Sequence, residues 1–328
     1  MRSFRHALNG SLLLVVALLA AEVRAAGIRE IDIPADVGQP AILAQLWTPC
    51  AAPAPEIVVN RGKPPTIIRG VKDCAFPQKS LPLVLISHGG FEDRFSHHDT
   101  AEFLADAGFA VVALDHTQDN APKIGTKSAE DISSFLVRTL DIKRVIDFLA
   151  SHPPAGLDID WNRVGFYGFS RGGYTGLVLA GAVPDFDSLV IECPEKYLMC
   201  RQIKQHEIPV HAPGYEPRIK AYVIADPVSF FPGKPSLRNV RAPVQLWSSE
   251  SGGMGVRPEE VSAIAMNLPV EPEFHRVAGS GHLSFDCPCS SDQVSAHLFV
   301  CTDPPGFDRT AFHKDFNTQV LGFFRKNL

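Results

Sequence analysis

Several short, largely apolar runs recur along the chain: Leu83–Ile86, Phe109–Leu114 and Val164–Tyr167 without a break, and Ile219–Ile224 and Pro243–Trp247 with one polar residue each, Lys220 and Gln245. Stretches long enough for helices separate them. A strand with no polar alternation must be buried on both faces. Strands of this kind alternating with helices imply a mainly parallel sheet covered on both sides. The composition fits such a fold. Hydrophobic residues make up 45% and charged residues 20% of the 328 positions, which excludes a disordered or collagen-like chain. The net charge of −5 argues against electrostatic binding to nucleic acid.

Finer reading fills in the elements. Ile28–Ile33 alternates apolar and polar residues, as a half-buried strand does, and Ala44–Trp47 can pair with it. Ile57–Val59 and Thr66–Ile68 are short strand-like runs within an insertion near 49–80. A helix over Thr100–Ala107 is closed by Gly108. Ser128–Ser151 is the longest helical stretch, with Ile132, Phe135, Leu136, Thr139, Leu140, Ile146 and Leu149 at helical spacing and Ser128 and Asp131 placed as a capping box. Helices are also expected over Gly172–Ala182, from Pro258 to Leu268 and over Arg309–Phe324, and a last strand over Phe274–Val277. A second insertion near 184–217 breaks the pattern. No linker divides the chain, so residues 26–328 read as one catalytic domain.

The first 25 residues read as a secretory signal peptide. Arg2 and Arg5 precede an apolar run centred on Leu12–Leu19, and Val23-Arg24-Ala25 offers small residues for cleavage after Ala25 or Ala26. That run is about half of the ~20 residues needed to span a bilayer, so no stable membrane anchor is expected. Export to a periplasmic or extracellular space makes disulfides the default for the seven cysteines. Local pairing gives Cys50–Cys74, Cys193–Cys200, and Cys301 with Cys287 or Cys289, leaving one thiol over. Cys287-Pro288-Cys289 lacks the spacer of a zinc site. Adjacent His97, His98 and Asp99 seldom face one ion, so no metal is expected.

The chemistry lies where strands end. Gly168-Phe169-Ser170-Arg171-Gly172 matches G-x-S-x-G between the strand Val164–Tyr167 and the following helix, the placement that lifts a serine oxygen clear of a sheet. Ser170 is the candidate nucleophile. His282, in Gly279-Ser280-Gly281-His282 after the last strand, stands where its base belongs. The acid that orients the imidazole has two candidates at strand ends, Asp226 and Glu250, and spacing does not choose between them. The oxyanion donors expected are the backbone N–H of Arg171 and that of Gly90, in Ser87-His88-Gly89-Gly90-Phe91. Asp115-His116 should support or line the pocket, and Phe91, Phe95, Phe230 and Phe231 could line an acyl site.

In this order, Ser87–Gly90, Phe109–His116, Gly168–Gly173, Ala225-Asp226-Pro227 and Gly281–Phe285 resemble the motifs of α/β-hydrolases. The chain is similar to the exported bacterial proteins called predicted dienelactone hydrolases and to the related platelet-activating-factor acetylhydrolases. The likeness covers roughly residues 80–290. It implies the α/β-hydrolase fold, a mainly parallel central sheet with helices on both faces. It also implies a Ser170–His282–Asp226 triad, because in the acetylhydrolases the acid follows the strand after the nucleophile helix. Cytosolic dienelactone hydrolases use cysteine where this chain has Ser170, so dienelactone itself is not implied. The expected activity is hydrolysis of a small or lipid-like carboxylic ester without cofactor. A peptidase or amidase using the same triad, and a non-catalytic binding protein of the same fold, are the competing readings.

Overall fold

The computed structural model describes residues 25–52, 55–59, 64–186, 195–209 and 214–328. The expected signal peptide lies outside the described residues except for Ala25.

Nine strands form one sheet: β1 (Ala25–Ile33), β2 (Ile42–Cys50), β5 (Val71–Lys72), β6 (Leu81–Ser87), β7 (Ala110–Leu114), β8 (Ile159–Phe169), β9 (Ala221–Ala225), β10 (Val244–Ser249) and β11 (Glu273–Val277). Their order is β11-β10-β9-β8-β6-β7-β2-β1-β5. From β11 to β7 every neighbouring pair is parallel, while β2 runs antiparallel to both β7 and β1. The alternating segment at the start of the chain therefore forms a hairpin, with Ile28 opposite Trp47 and Ile33 opposite Ile42. The continuous apolar runs form the parallel part.

Alternate residues of each central strand supply two cores. Leu83, Leu85, Val112, Val164, Phe166, Tyr222, Ile224 and Leu246 face one side. They pack with α3 (Ser133–Ser151), α4 (Arg171–Leu179) and α7 (Pro258–Asn267) through Phe135, Ile142, Val145, Leu177, Val261 and Ile264. Val84, Ile86, Val111, Tyr167, Val223 and Trp247 face the other side, against α1 (His98–Asp106) and α9 (Arg309–Asn327) through Leu104, Phe316, Val320 and Phe324. Burying a Leu, Val or Phe side chain stabilises by roughly 1.5–3 kcal/mol, so these two layers dominate the fold's stability. The shorter helices are α2 (Lys127–Glu130), α5 (Leu198–Lys204), α6 (Lys234–Leu237) and α8 (Ser291–Ser295).

The structure departs from the sequence reading at the longest helix, and it completes that reading at the first insertion and at the cysteines. The helix expected over Ser128–Ser151 is two helices. Asp131 is extended, with ψ 142°. Its carboxylate accepts from Ser133 N–H at 2.9 Å and from Gln202 Nε2 at 2.9 Å, so it starts α3 and does not continue α2. The cap of α2 is Thr126, not Ser128. The insertion near 49–80 holds the hairpin β3 (Glu56–Val59) and β4 (Thr66–Arg69), and then returns β5 to the edge of the main sheet beside β1. Cys301 pairs with Cys289, and Cys287 keeps a free thiol. Cys50 pairs with Cys74, tying the insertion to β2. Cys200 is disulfide-bonded, and its expected partner Cys193 lies outside the described residues. No helix among the described residues is long and apolar enough to cross a membrane.

Among the glycines of the described residues, those at the turn from β8 into α4 have the least room for a side chain. A Cβ on Gly172 would collide with the carbonyl oxygen of Ser87 at the end of β6, and one on Gly168 would collide with the carbonyl of Gly172. Both obstacles are backbone and cannot swing away. Gly172→Ala is therefore expected to destabilise the protein by about 3 kcal/mol, the upper range for overpacking a tight interior. A large drop in the urea midpoint followed by circular dichroism would show it; an unchanged midpoint would mean that the turn relaxes.

Candidate active site

All the parallel strands end on one edge of the sheet, where an open α/β sheet gathers its ligand-binding loops. Ser170 caps β8 there with φ 55° and ψ −116°. This strained conformation is over-determined by its surroundings. Ser170 N–H donates to Ala225 O at 2.9 Å, and its own carbonyl accepts from Val228 N–H at 3.1 Å and Tyr174 N–H at 3.1 Å.

The structure brings Ser170, His282 and Asp226 together. His282 opens a 3₁₀ turn, His282–Phe285, after β11. Its N–H donates to Gly252 O at 2.9 Å, and its ring stacks on Phe169 with centroids 4.6 Å apart. His282 Nε2 lies 2.9 Å from Ser170 Oγ, and His282 Nδ1 lies 2.6 Å from Asp226 Oδ2. Asp226 is fully buried and takes Ser249 N–H at 2.8 Å and Ser249 Oγ–H at 2.8 Å. A carboxylate only accepts, so Nδ1 carries the imidazole proton and Nε2 is left to accept from Ser170 Oγ–H. Glu250 is not brought to His282. Its Oε2 accepts from Gly279 N–H at 2.7 Å, and its own N–H donates to Ser280 Oγ at 3.3 Å, so it fastens the loop after β10 to the one carrying His282.

The two backbone donors expected of the site lie at the start of α4 and in the loop after β6. Arg171 N–H belongs to the first turn of α4, where a helix leaves its N–H groups without intrahelical partners. In the loop after β6, Gly89 N–H donates to Glu92 at 2.8 Å and Phe91 N–H to Asp119 at 3.0 Å. Gly90 N–H lies between them and has no hydrogen-bond partner among the described residues. A Cβ on Gly90 would come within 2.8 Å of Arg171 Nε, so a larger residue there would push the Arg171 side chain aside.

The Arg171 side chain closes over this loop. Its guanidinium lies 4.7 Å from the ring centres of both Phe91 and Phe135, and Nη1 reaches Asp119 at 3.0 Å. Asp119 also accepts from Arg138 Nη1 at 2.8 Å. Burial alone would raise the Asp119 carboxyl, but the two guanidiniums outweigh it and hold it below the usual carboxylate range. Arg138 donates as well to Thr175 Oγ1 at 3.1 Å, Ser87 Oγ at 3.3 Å and the His88 carbonyl. Neither Asp119 nor Arg138 was among the expected site residues. Arg138 gave one signal, a charged residue amid Phe135, Thr139 and Ile142 on the buried face of a helix.

Asp115 and His116 support the site from below. Asp115 accepts from Arg94 N–H and Nη1. His116 joins a second serine–histidine–aspartate chain, with Nε2 2.8 Å from Ser87 Oγ and Nδ1 3.2 Å from Asp141 Oδ2. Burial pushes the imidazole well down and the Asp141 carboxyl up to about 7. Ser87 and His116 have no solvent exposure, so the chain braces the Gly89-Gly90 loop and offers no surface to a substrate. Of the four phenylalanines, Phe95, Phe230 and Phe231 are buried in the cores, and Phe91 alone is partly exposed beside Arg171. His97, His98 and Asp99 diverge: His98 meets Glu102 at 3.0 Å, and Asp99 meets His313 at 2.7 Å.

Sheet order, turn and strand-end loops are those of the α/β-hydrolase fold. A ferulic acid esterase from Streptomyces cinnamoneus aligns over 96% of this chain and 92% of its own, with a TM-score of 0.63 and 17% identity. A dienelactone hydrolase from Anabaena variabilis aligns over 92% of this chain and 99% of its own, at 0.52 and 16%. A dienelactone hydrolase-like promiscuous phosphotriesterase from metagenomic libraries gives 0.54 and 15% over the same shares. No family model and no curated protein matches the sequence.

Removing Arg138 would leave Asp119 buried with half its charge compensation. Arg138→Met should cost about 3–5 kcal/mol, read from the urea midpoint. The acid limb carries a further signature. Because the folded Asp119 carboxyl titrates below the unfolded one, its contribution is complete above about pH 4 and is lost as pH falls through the folded value. Loss of a guanidinium raises that folded value, so in Arg138→Met the acid-side decline should begin at higher pH. An identical acid limb in both proteins would contradict this.

Proposed function

We propose that the protein is a serine hydrolase that cleaves carboxylic esters through an acyl-enzyme. The carrying observation is the continuous hydrogen-bond chain from Ser170 Oγ through His282 to Asp226, with the imidazole proton fixed on Nδ1. In this reading His282 Nε2 takes the Ser170 proton as Oγ attacks the ester carbonyl. The negative charge that develops on the carbonyl oxygen is met by Gly90 N–H and Arg171 N–H. His282 then gives its proton to the departing alcohol, and a water activated by His282 releases the acid and restores Ser170. Asp226 holds the ring and stabilises its charged form. Nothing in the sequence of steps requires a cofactor.

The likeness to a ferulic acid esterase and to dienelactone hydrolases supports an ester over an amide substrate. The motif resemblance to platelet-activating-factor acetylhydrolases points the same way, towards a small or lipid-like ester. The disulfides Cys50–Cys74 and Cys289–Cys301 support an oxidising, periplasmic or extracellular location. In that reading residues 26–328 act as one catalytic domain after loss of residues 1–25, with no stable membrane anchor and no nucleic-acid partner.

Active-site titration with a fluorophosphonate tests the proposal. Stoichiometric labelling of the wild type, lost in Ser170→Ala, is the expected result. A folded wild type that stays unlabelled would favour a non-catalytic binding protein. On p-nitrophenyl esters and p-nitroanilides the esters should turn over faster, and the reverse would make the protein an amidase or peptidase. Asp226→Asn should lower kcat on the order of 10⁴-fold, the scale seen when a triad aspartate is neutralised, while Glu250→Gln keeps most of it. The opposite pattern would move the acid to Glu250.

A further inference from the structure

Behind the Gly89-Gly90 loop three side chains converge for which the proposed hydrolysis has no use. Glu92 follows that loop, His97 precedes α1, and Asp286 follows the His282–Phe285 turn. One ligand atom from each lies within 4.8 Å of the other two. Asp286 and His97 are 5% and 2% exposed. Neither carboxylate oxygen of Asp286, nor His97 Nε2, meets an N–H or hydroxyl donor among the described residues; Asp286 instead faces Glu92, and burial pushes both carboxyls up, so without an ion the two share a proton that a metal would displace. The nearby cations are engaged elsewhere: Arg309 pairs with Asp303 and Arg138 with Asp119. Among the described residues no lysine or arginine forms an ion pair with Glu92 or Asp286.

Two buried carboxylates without a cation are costly, by several kcal/mol for each charge. A neutral imidazole supplies at most one N–H, which cannot serve both. The geometry points to a different partner. His97 Nε2 and Glu92 Oε2 are 3.4 Å apart, long for a hydrogen bond. Two ligands about 2.0–2.1 Å from a tetrahedral ion sit roughly 3.4 Å from each other. His97 Nδ1 is engaged with the Tyr167 hydroxyl at 3.3 Å, as the second nitrogen of a metal-bound histidine usually is by some polar partner.

We propose that Glu92, His97 and Asp286 bind a divalent transition-metal ion of the zinc class. Two carboxylates and one neutral imidazole balance a charge of +2. The imidazole favours zinc over calcium or magnesium, which prefer all-oxygen sites. A pocket of about 110 Å³, lined by Glu92, Ser96, Asp286 and Cys287 among others, gives the ion an entrance and room for a water as fourth ligand. Glu92 also holds Gly89 N–H, and Asp286 lies four residues after His282, so the ion would tie the loop after β6 to the loop carrying His282.

The test is calorimetric titration of the chelator-treated mature chain with zinc, followed by cobalt(II) as a spectroscopic substitute. One zinc per chain is expected, with Tm raised by about 4 °C at a hundredfold excess over Kd. His97→Gln and Asp286→Asn should each abolish the stoichiometric event and the Tm rise. Absence of stoichiometric binding to the wild type, or its survival unchanged in either variant, would overturn the proposal. Should a variant fail to fold, the cobalt(II)-loaded wild type decides. Bands of nitrogen and oxygen donors alone support the site, whereas thiolate charge-transfer bands would place the ion on Cys287 and overturn it.

Discussion

The close approach of α4 to the end of β6 governs the molecule. The backbone of Gly172 lies against the Ser87 carbonyl with no room for a side chain. That contact fixes how abruptly β8 turns into α4, and the turn in turn fixes the φ of 55° at Ser170. The strain is held by three backbone hydrogen bonds to β9, α4 and the loop after β9. Because the same contact seats the loop after β6 beside the helix N-terminus, Gly90 and Arg171 become neighbours. One steric constraint thus sets both the turn at Ser170 and the seat of the loop that carries Gly90.

Buried charge does the remaining positioning. Arg138 reaches from α3 across to Asp119, Thr175, Ser87 and the His88 carbonyl, so one guanidinium joins a helix, a strand end and two loops. Arg171 shares Asp119 and is sandwiched between two aromatic rings. Such a network is rigid because each member, if moved, leaves a partner uncompensated in a low-dielectric interior. The loop beside Ser170 is consequently held from beneath, and its glycines are free to lie close to whatever occupies the space above.

Much of this was legible in the sequence, for physical reasons that differ by element. The central strands announced themselves because burial on both faces leaves no polar alternation. Ser170 was legible because small residues must flank so sharp a turn. His282 and the two acids, Asp226 and Glu250, were legible as strand-end residues, but spacing could not rank the acids. The distance of 2.6 Å to His282 belongs to Asp226, while Glu250 serves Gly279, and only folding sets them apart. The break at Asp131 was hidden because the apolar periodicity runs straight through it, and a side-chain contact with Gln202, 71 residues away, decides it. Glu92 and Asp286 were illegible for the same reason, being 194 positions apart in the chain and joined only where two loops meet.

The two margins of the sheet carry a consequence of their own. A sheet with an exposed, flat, apolar margin invites another chain to add a strand. Here one margin is β5, a two-residue strand whose neighbouring Cys74 is bonded to Cys50 on β2. The other is β11, which presents Glu273, His275 and Arg276, with the first two paired to each other at 2.9 Å. β5 covers only Gly27 and Ile28 of β1, and beyond them β1 places Arg29, Glu30 and Asp32 along the border, so both borders carry charge. A mainly parallel sheet of this width, slow to assemble and exposed while it does so, is thereby guarded by charge at both borders against growing beyond its own chain.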